Sequence, residues 1–130
     1  MITLKKVENQ SHEITNEKGV TTIAASSDSE VNGYSPVDYI TSSVSICMGL
    51  TLDALIKRDD LAIDSYEINV EATKAEDKPS RLEKLDIEIN FETELDDKVK
   101  NKLIKSAKRG CTIGNTIEHG AEVNVTAKSI

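Results

Sequence analysis

The residues best suited to covalent chemistry in this 130-residue chain are its two cysteines, Cys47 and Cys111. They lie far apart in the sequence, which excludes a Cys-x-x-Cys redox motif and a local metal knuckle. Only folding can bring the two thiols together. A thiol near polar and cationic groups loses its proton readily, and the thiolate is the nucleophile. The alternative is a pair of inert core residues, because free cysteine is among the most buried residue types.

The neighbours of the two cysteines favour chemistry. Ser43 and Thr51 stand one helical turn on either side of Cys47. Cys111 follows Gly110 and precedes the segment 112–117, which could begin a further helical turn.

A long helix is predicted from Pro36 to about Arg58. Ser35 is a good N-cap, and proline fits the first helical position, where its missing N–H is harmless. Apolar residues recur at three- and four-residue steps, which is helical spacing. They are Ile40, Val44, Cys47, Leu50, Ala54 and Leu55. Small residues occupy most other positions, which favours a central helix enclosed by close neighbours, with Cys47 on its core-facing stripe.

Strands are predicted on both sides of this helix. β-Branched residues in 2–8, 12–17 and 20–26 predict three short strands, with turns near Asn9 and at 17–19, followed by a polar loop at 26–33. The segments 66–72 and 85–91 alternate apolar and polar residues, so they predict an antiparallel hairpin with one solvated face, joined through 76–80.

A second helix is predicted after Thr93, its expected N-cap, with Gly110 as the residue that follows its end. Its expected buried stripe is Leu95, Val99, Leu103 and Ala107. Basic residues crowd its later turns, where positive charge suits the helix dipole. They are Lys98, Lys100, Lys102, Lys105, Lys108 and Arg109. A closing strand is predicted at 121–127. The order of elements predicts one α+β domain over residues 1–130, with antiparallel sheets.

Composition excludes several classes of function. The net charge is −7 and aromatic residues are 3% of the chain, so nucleic-acid binding is not expected. We expect no signal peptide, no membrane span and a cytoplasmic location. His12 and His119 are too isolated to form a metal pair, so we expect no metal and no cofactor.

Two cysteine-containing segments resemble the OsmC/Ohr family (osmotically inducible and organic hydroperoxide resistance proteins). The first comprises 33–40 and 45–49, in which Cys47 follows Pro36 by eleven positions. The second is 109–113 around Cys111, and 120–125 is similar to the closing strand of the family. The resemblance covers the chain from about Gly33 to its end.

The resemblance implies an OsmC-like fold, in which two chains form an intertwined homodimer of curved sheets around long central helices. It also implies a thiol peroxidase of oxidative stress defence that reduces organic hydroperoxides or hydrogen peroxide. Cys47 would be the peroxidatic cysteine, oxidised to a sulfenic acid, and Cys111 the resolving one. A dithiol reductant would reopen the resulting disulfide. The alternative is a non-catalytic OsmC-like dimer that binds a small ligand or senses redox state.

The chain departs from the family pattern beside the peroxidatic cysteine. Active members use an N-terminal arginine and a glutamate just after the helix-opening proline. Here Val37 takes the glutamate position, and the arginines are Arg58, Arg81 and Arg109. Thr112 stands where the family usually has proline. Another cation would have to support the thiolate, and the candidates are Lys5, Lys6, Lys18, Arg109 and His119. The lysine-rich segment 98–109 is either a solvated helix face or a means of attracting an anionic substrate or reductant near Cys111.

Overall fold

The computed structural model describes residues 1–25 and 30–129. Four residues of the predicted polar loop, 26–29, lie outside that range. The described residues form three helices and two small antiparallel sheets, which confirms the α+β prediction. In chain order the elements are β1 (Thr3–Lys5), β2 (His12–Thr15), β3 (Thr21–Ala24), α1 (Pro36–Arg58), β4 (Tyr66–Lys74), β5 (Leu82–Phe91), α2 (Asp97–Gly110) and α3 (Thr112–His119).

The chain divides into two compact units, and the first comprises Met1–Ser42 and Ala72–Leu85. Its sheet has the order β1-β2-β3, with Leu4 opposite Ile14 and Glu13 opposite Ile23. The three strands are shorter than predicted. Both predicted turns are present, and each has a residue with positive φ, at Asn9 (64°) and Gly19 (81°).

Reciprocal capping fixes the start of α1. The Asp38 N–H donates to Ser35 Oγ (3.1 Å), and the Ser35 N–H donates to Asp38 Oδ2 (2.9 Å). Two backbone donors that the first helical turn leaves unpaired are thereby satisfied. The predicted N-cap and both ends of this helix are confirmed.

The length and composition of α1 are also those of a membrane-crossing helix. The core helix of a water-soluble domain can meet the same two criteria, so this is weak evidence. The expectation that no segment spans a membrane stays a prediction.

The buried face of α1 differs from the predicted one. Val44, Met48 and Leu52 are buried at four-residue steps, whereas Leu50 is 65% exposed and Ala54 is exposed. The prediction that Ile40, Leu50 and Ala54 face the core is wrong, because all three are exposed. Apolar residues occur on several faces of this helix, so their spacing alone does not select the buried one.

The second unit, Ser43–Glu71 and Asp86–Ile130, contains a hydrophobic core. Its buried residues are Leu52, Ile63, Leu103 and Ala107. Tyr66, Ile68, Ile89 and Phe91 pack against them. The predicted hairpin is confirmed, because β4 and β5 pair and alternate half-buried with exposed residues along most of their length.

The start of α2 lies later than predicted. Asp96, and not Thr93, is the N-cap, and its side chain accepts a hydrogen bond from the Lys98 N–H (2.8 Å). Both residue types cap helices well, and the helical turn begins only after the second of them. The predicted burial of Leu103 and Ala107 is confirmed.

The segment after α2 also differs from the prediction. Gly110 is the last residue of α2 and not the residue beyond its end, and Cys111 is the C-cap. The helical turn anticipated after Cys111 is present as α3. The predicted strand at 121–127 is wrong, because 120–129 forms neither helix nor strand among the described residues and its side chains are exposed. A strand requires a hydrogen-bonded neighbour, which alternation in the sequence does not provide.

Candidate active site at two cysteines

Folding of the second unit brings the two cysteines together. Cys47 is half-buried on α1, and Cys111 is fully buried where α2 ends and α3 begins. Both are free thiols. The two thiols lie close enough for each to influence the ionisation of the other.

Cys111 is held as a protonated thiol. Its Sγ accepts a hydrogen bond from the Gly114 N–H (3.2 Å), and the thiol points to the Val44 carbonyl oxygen (3.8 Å). Burial raises the pKa of Cys111, and the neighbouring Cys47 raises it further, whereas the N–H groups of Gly114 and Ile113 act in the opposite direction. The effect of burial is the largest, because desolvation penalises the charged form of the thiol, and the pKa of Cys111 is therefore raised.

The pKa of Cys47 is shifted in the opposite direction from that of Cys111. The backbone N–H of Ile113 lowers the pKa of the Cys47 thiol, with smaller contributions from the Cys111 thiol and the Thr112 N–H, against the raising effect of burial. Thr112 and Ile113 are the first two residues of α3. The first N–H groups of a helix have no partner within it and point outward, so they favour a thiolate.

The groups that lower the pKa of Cys47 are therefore backbone donors and a thiol, with no cationic side chain among them in the described chain. The cations named as candidates from the sequence, Lys5, Lys6, Lys18, Arg109 and His119, are all exposed. Where we expected a cation, the backbone groups that lower the pKa of Cys47 are therefore those at the start of α3.

A close approach of helices holds the two thiols in place. A Cβ atom added at Gly110 would lie 3.0 Å from Thr51 Cγ2. The Thr51 hydroxyl in turn donates to the Cys47 carbonyl oxygen (3.1 Å). Gly110 thus lets the end of α2 approach α1 within one turn of Cys47, and Cys111 follows directly in the chain.

Sequence reasoning missed the backbone donors of Ile113 and Gly114. The available signal was the helical turn expected immediately after Cys111, because a helix that begins there must point its first N–H groups at whatever lies before it. Gly114 contributes a second feature, since a Cβ added there would lie 3.3 Å from the Cys111 sulfur.

The arrangement is that of a polarised thiol pair. One sulfur, on Cys47, is partly exposed and favours ionisation, whereas the other, on Cys111, is buried and favours its proton. Such a pair can present one nucleophilic sulfur to a reagent and then close a disulfide with the second. The fold and the site define an α+β protein with a paired-thiol centre.

Comparison with protein families assigns this structure to one of them. The chain belongs to the OsmC-like protein family, whose model matches residues 26–126. The OsmC-like fold expected from the sequence is confirmed. No curated protein matches the chain.

Solved structures of OsmC-like proteins have the same fold. An OsmC-like protein from Mycoplasma pneumoniae has a TM-score of 0.81 at 14% identity, covering 92% of this chain and 87% of that one. An organic hydroperoxide resistance protein from Elizabethkingia anophelis has a TM-score of 0.75 at 13% identity, with coverage of 92% and 87%. One from Legionella pneumophila has a TM-score of 0.72 at 12% identity, with coverage of 90% and 87%.

Proposed function

We propose that this protein is a thiol-dependent peroxidase that reduces organic hydroperoxides or hydrogen peroxide in oxidative stress defence. The observation that carries the proposal is the pairing of Cys47 and Cys111, whose pKa values are shifted in opposite directions within one small site. The similarity in fold to two organic hydroperoxide resistance proteins supports it.

Disulfide formation takes two steps, of which only the first consumes peroxide. The Cys47 thiolate attacks one peroxide oxygen, the O–O bond breaks, and the departing alkoxide or hydroxide takes up a proton, leaving Cys47 as a sulfenic acid. The Cys111 sulfur then attacks the sulfenic sulfur, water leaves, and a Cys47–Cys111 disulfide forms. A dithiol reductant returns two electrons and two protons, and the cycle closes.

Activation without an arginine is the unusual part of this proposal. The first N–H groups of α3 supply the stabilisation of negative charge that the family obtains from its arginine. Backbone donors are fixed by the helix, so they need no carboxylate such as the missing glutamate to hold them. Val37 and the lack of an N-terminal arginine are therefore compatible with activity.

A homodimer is part of the same proposal. Ile46 and Leu50 on α1 are 61% and 65% exposed, and Val123 and Val125 are exposed in the segment 120–129. Burying such side chains against a second copy removes apolar surface from water at about 25 cal/mol per Å². We expect analytical ultracentrifugation to give a dimer, and Ile46→Glu/Leu50→Glu to give monomers or insoluble protein.

A cytoplasmic location also belongs to the proposal, because two free thiols and a dithiol reductant require a reducing compartment.

Peroxide consumption tests the function. With dithiothreitol as reductant, we expect the wild type to consume tert-butyl hydroperoxide or hydrogen peroxide and Cys47→Ser to lose turnover. In the absence of any reductant, Cys111→Ser should still react once with peroxide, leaving a sulfenic acid on Cys47 that dimedone labels and mass spectrometry locates. This matched pair separates the attacking cysteine from the resolving one.

Other results would contradict the peroxidase proposal or favour an alternative function. No peroxide consumption by a folded wild type, together with an ordinary pKa for Cys47, would remove the peroxidase proposal. Reversible disulfide formation without turnover would instead favour a redox sensor, and an inert thiol pair would favour a ligand-binding dimer.

A further inference from the structure

The most concentrated positive charge of the described chain lies along one side of α2. Lys98, Lys102, Lys105 and Arg109 follow one another at steps of four, three and four residues and are all exposed. At about 100° per residue these steps place the four within about 60° of the helix circumference. We call these four residues the basic face. Leu103 and Ala107 are buried on the opposite side of the helix.

The basic face is only partly neutralised by its surroundings. Lys102 Nζ lies 3.9 Å from Asp59 Oδ2. Among the described residues, the other ion pairs of α2 involve Lys100 and Lys108, which lie outside the face. The whole chain carries a net charge of −7, so this face has the opposite sign to the rest of the molecule. Such an asymmetry steers an acidic partner to one place.

The basic face ends close to the thiol pair along the chain. Arg109 is two residues before Cys111, and Gly110 between them packs on Thr51, one turn from Cys47. The face extends over eleven residue steps, or about 16 Å along the helix axis. That length exceeds a small anion and matches a patch on a protein surface.

We propose that the basic face docks an acidic protein that carries the reducing dithiol, and that this contact delivers the dithiol to the Cys47–Cys111 disulfide. This inference rests on the proposed function, whose cycle requires a dithiol. Cys111 is fully buried, so the partner thiolate attacks the sulfur of Cys47 and forms a mixed disulfide. The second partner thiolate then breaks the mixed disulfide. The partner leaves oxidised, and Cys47 and Cys111 regain two electrons and two protons.

Two reductants test the proposal. Dithiothreitol is neutral and small, whereas a thioredoxin chosen for its acidic surface is a protein dithiol. The variant is Lys98→Glu/Lys105→Glu, which reverses two charges of the basic face and leaves Arg109 beside the site unchanged. The matched control is Lys74→Glu/Lys78→Glu, which makes the same change of net charge at exposed positions outside α2.

We expect the basic-face variant to keep dithiothreitol-supported turnover within about twofold of wild type. Its rate constant with the acidic thioredoxin should fall about tenfold or more at low salt, because electrostatic steering changes association rates by 10–10³. The wild-type rate with this thioredoxin should fall as salt is added, and the control variant should behave as wild type. Replacing acidic surface residues of the thioredoxin by amides should remove the difference between variants.

The wild type, the basic-face variant and the control variant are also compared after diamide has formed the Cys47–Cys111 disulfide in each. The reduction rate of that disulfide reports docking even where no peroxide is consumed, so loss of peroxidase activity and loss of docking are separate results. Equal, salt-independent rates for wild type and the basic-face variant with the acidic thioredoxin would overturn the docking proposal. Failure of diamide to link Cys47 with Cys111 would overturn it too, as would retention of duplex DNA or RNA by this face at physiological salt.

Discussion

The contact between Gly110 and Thr51 makes a prediction about how the two cysteines are held together. In Gly110→Ala, the new Cβ would meet Thr51 Cγ2 at 3.0 Å, closer than the optimal carbon–carbon separation of about 3.5–4.0 Å. Thr51 cannot easily turn away, because its β-branched side chain has few rotamers and its hydroxyl is bonded to the Cys47 carbonyl oxygen at 3.1 Å.

Two opposing effects decide how much Gly110→Ala changes the free energy of unfolding. Overpacking by one methyl group costs about 1–3 kcal/mol. Replacing glycine by alanine in an unstrained backbone conformation gains about 0.4–1 kcal/mol, and Gly110 is not among the glycines with positive φ. We expect Gly110→Ala to lower the free energy of unfolding by about 1–2 kcal/mol.

In a Thr51→Ser background, we expect the effect of Gly110→Ala on the free energy of unfolding to change sign. Thr51→Ser removes the colliding methyl group and keeps the hydroxyl that bonds to the Cys47 carbonyl. In that background Gly110→Ala should raise the free energy of unfolding by about 0.4–1 kcal/mol. Urea unfolding of the four proteins gives a double-mutant cycle, with an expected coupling energy of at least about 1 kcal/mol. Stabilisation of equal size in both backgrounds would refute the close approach of the helices beside the thiols.

Three further predictions concern the unit that contains the site. Leu103→Ala should lower the free energy of unfolding by about 2–5 kcal/mol, because Leu103 is 3% exposed. Ile104→Ala, at a position 41% exposed, is the control and should cost clearly less in the same urea titration. Asp96→Ala should cost about 0.5–2 kcal/mol by removing the N-cap of α2, and an unchanged urea midpoint would contradict this. Burial, with help from the Asp53 carboxylate, raises the pKa of Tyr66 to about 12, so the folded state keeps a proton that the unfolded chain loses near pH 10. Stability should therefore fall as pH rises from about 10 to 12, and Tyr66→Phe should remove that part of the loss; equal slopes in both proteins would be inconsistent with the shift.

Local patterns in the sequence were sufficient to predict most of the elements. Ser35 and Pro36 define the start of α1 because capping chemistry is local, and the alternation in 66–72 and 85–91 predicts the hairpin because strand periodicity is local. Residue type alone made the two cysteines candidates, whereas their expected roles as a pair came from a family resemblance, since no local rule joins residues so far apart.

What could not be predicted depends on three-dimensional neighbours. The exposure of Leu50 depends on which face of α1 the other elements cover, and the sequence offers apolar residues on several. The cause of the lowered Cys47 pKa could not be found by searching the sequence for a cation. Backbone N–H groups cause it, and every residue type except proline carries one. Whether 121–127 forms a strand depends on a neighbouring strand to which it can hydrogen-bond, and alternation in the sequence does not identify such a neighbour.

The central claim is that the first N–H groups of α3 lower the pKa of Cys47, whereas burial raises the pKa of Cys111. The most direct measurement is the pH dependence of iodoacetamide labelling, with both cysteine peptides quantified from the same sample by mass spectrometry. We predict that Cys47 is labelled at a pH below that of an ordinary cysteine and that Cys111 requires a higher pH. Labelling of both cysteines at the same ordinary pH, or of Cys111 first, would contradict the account.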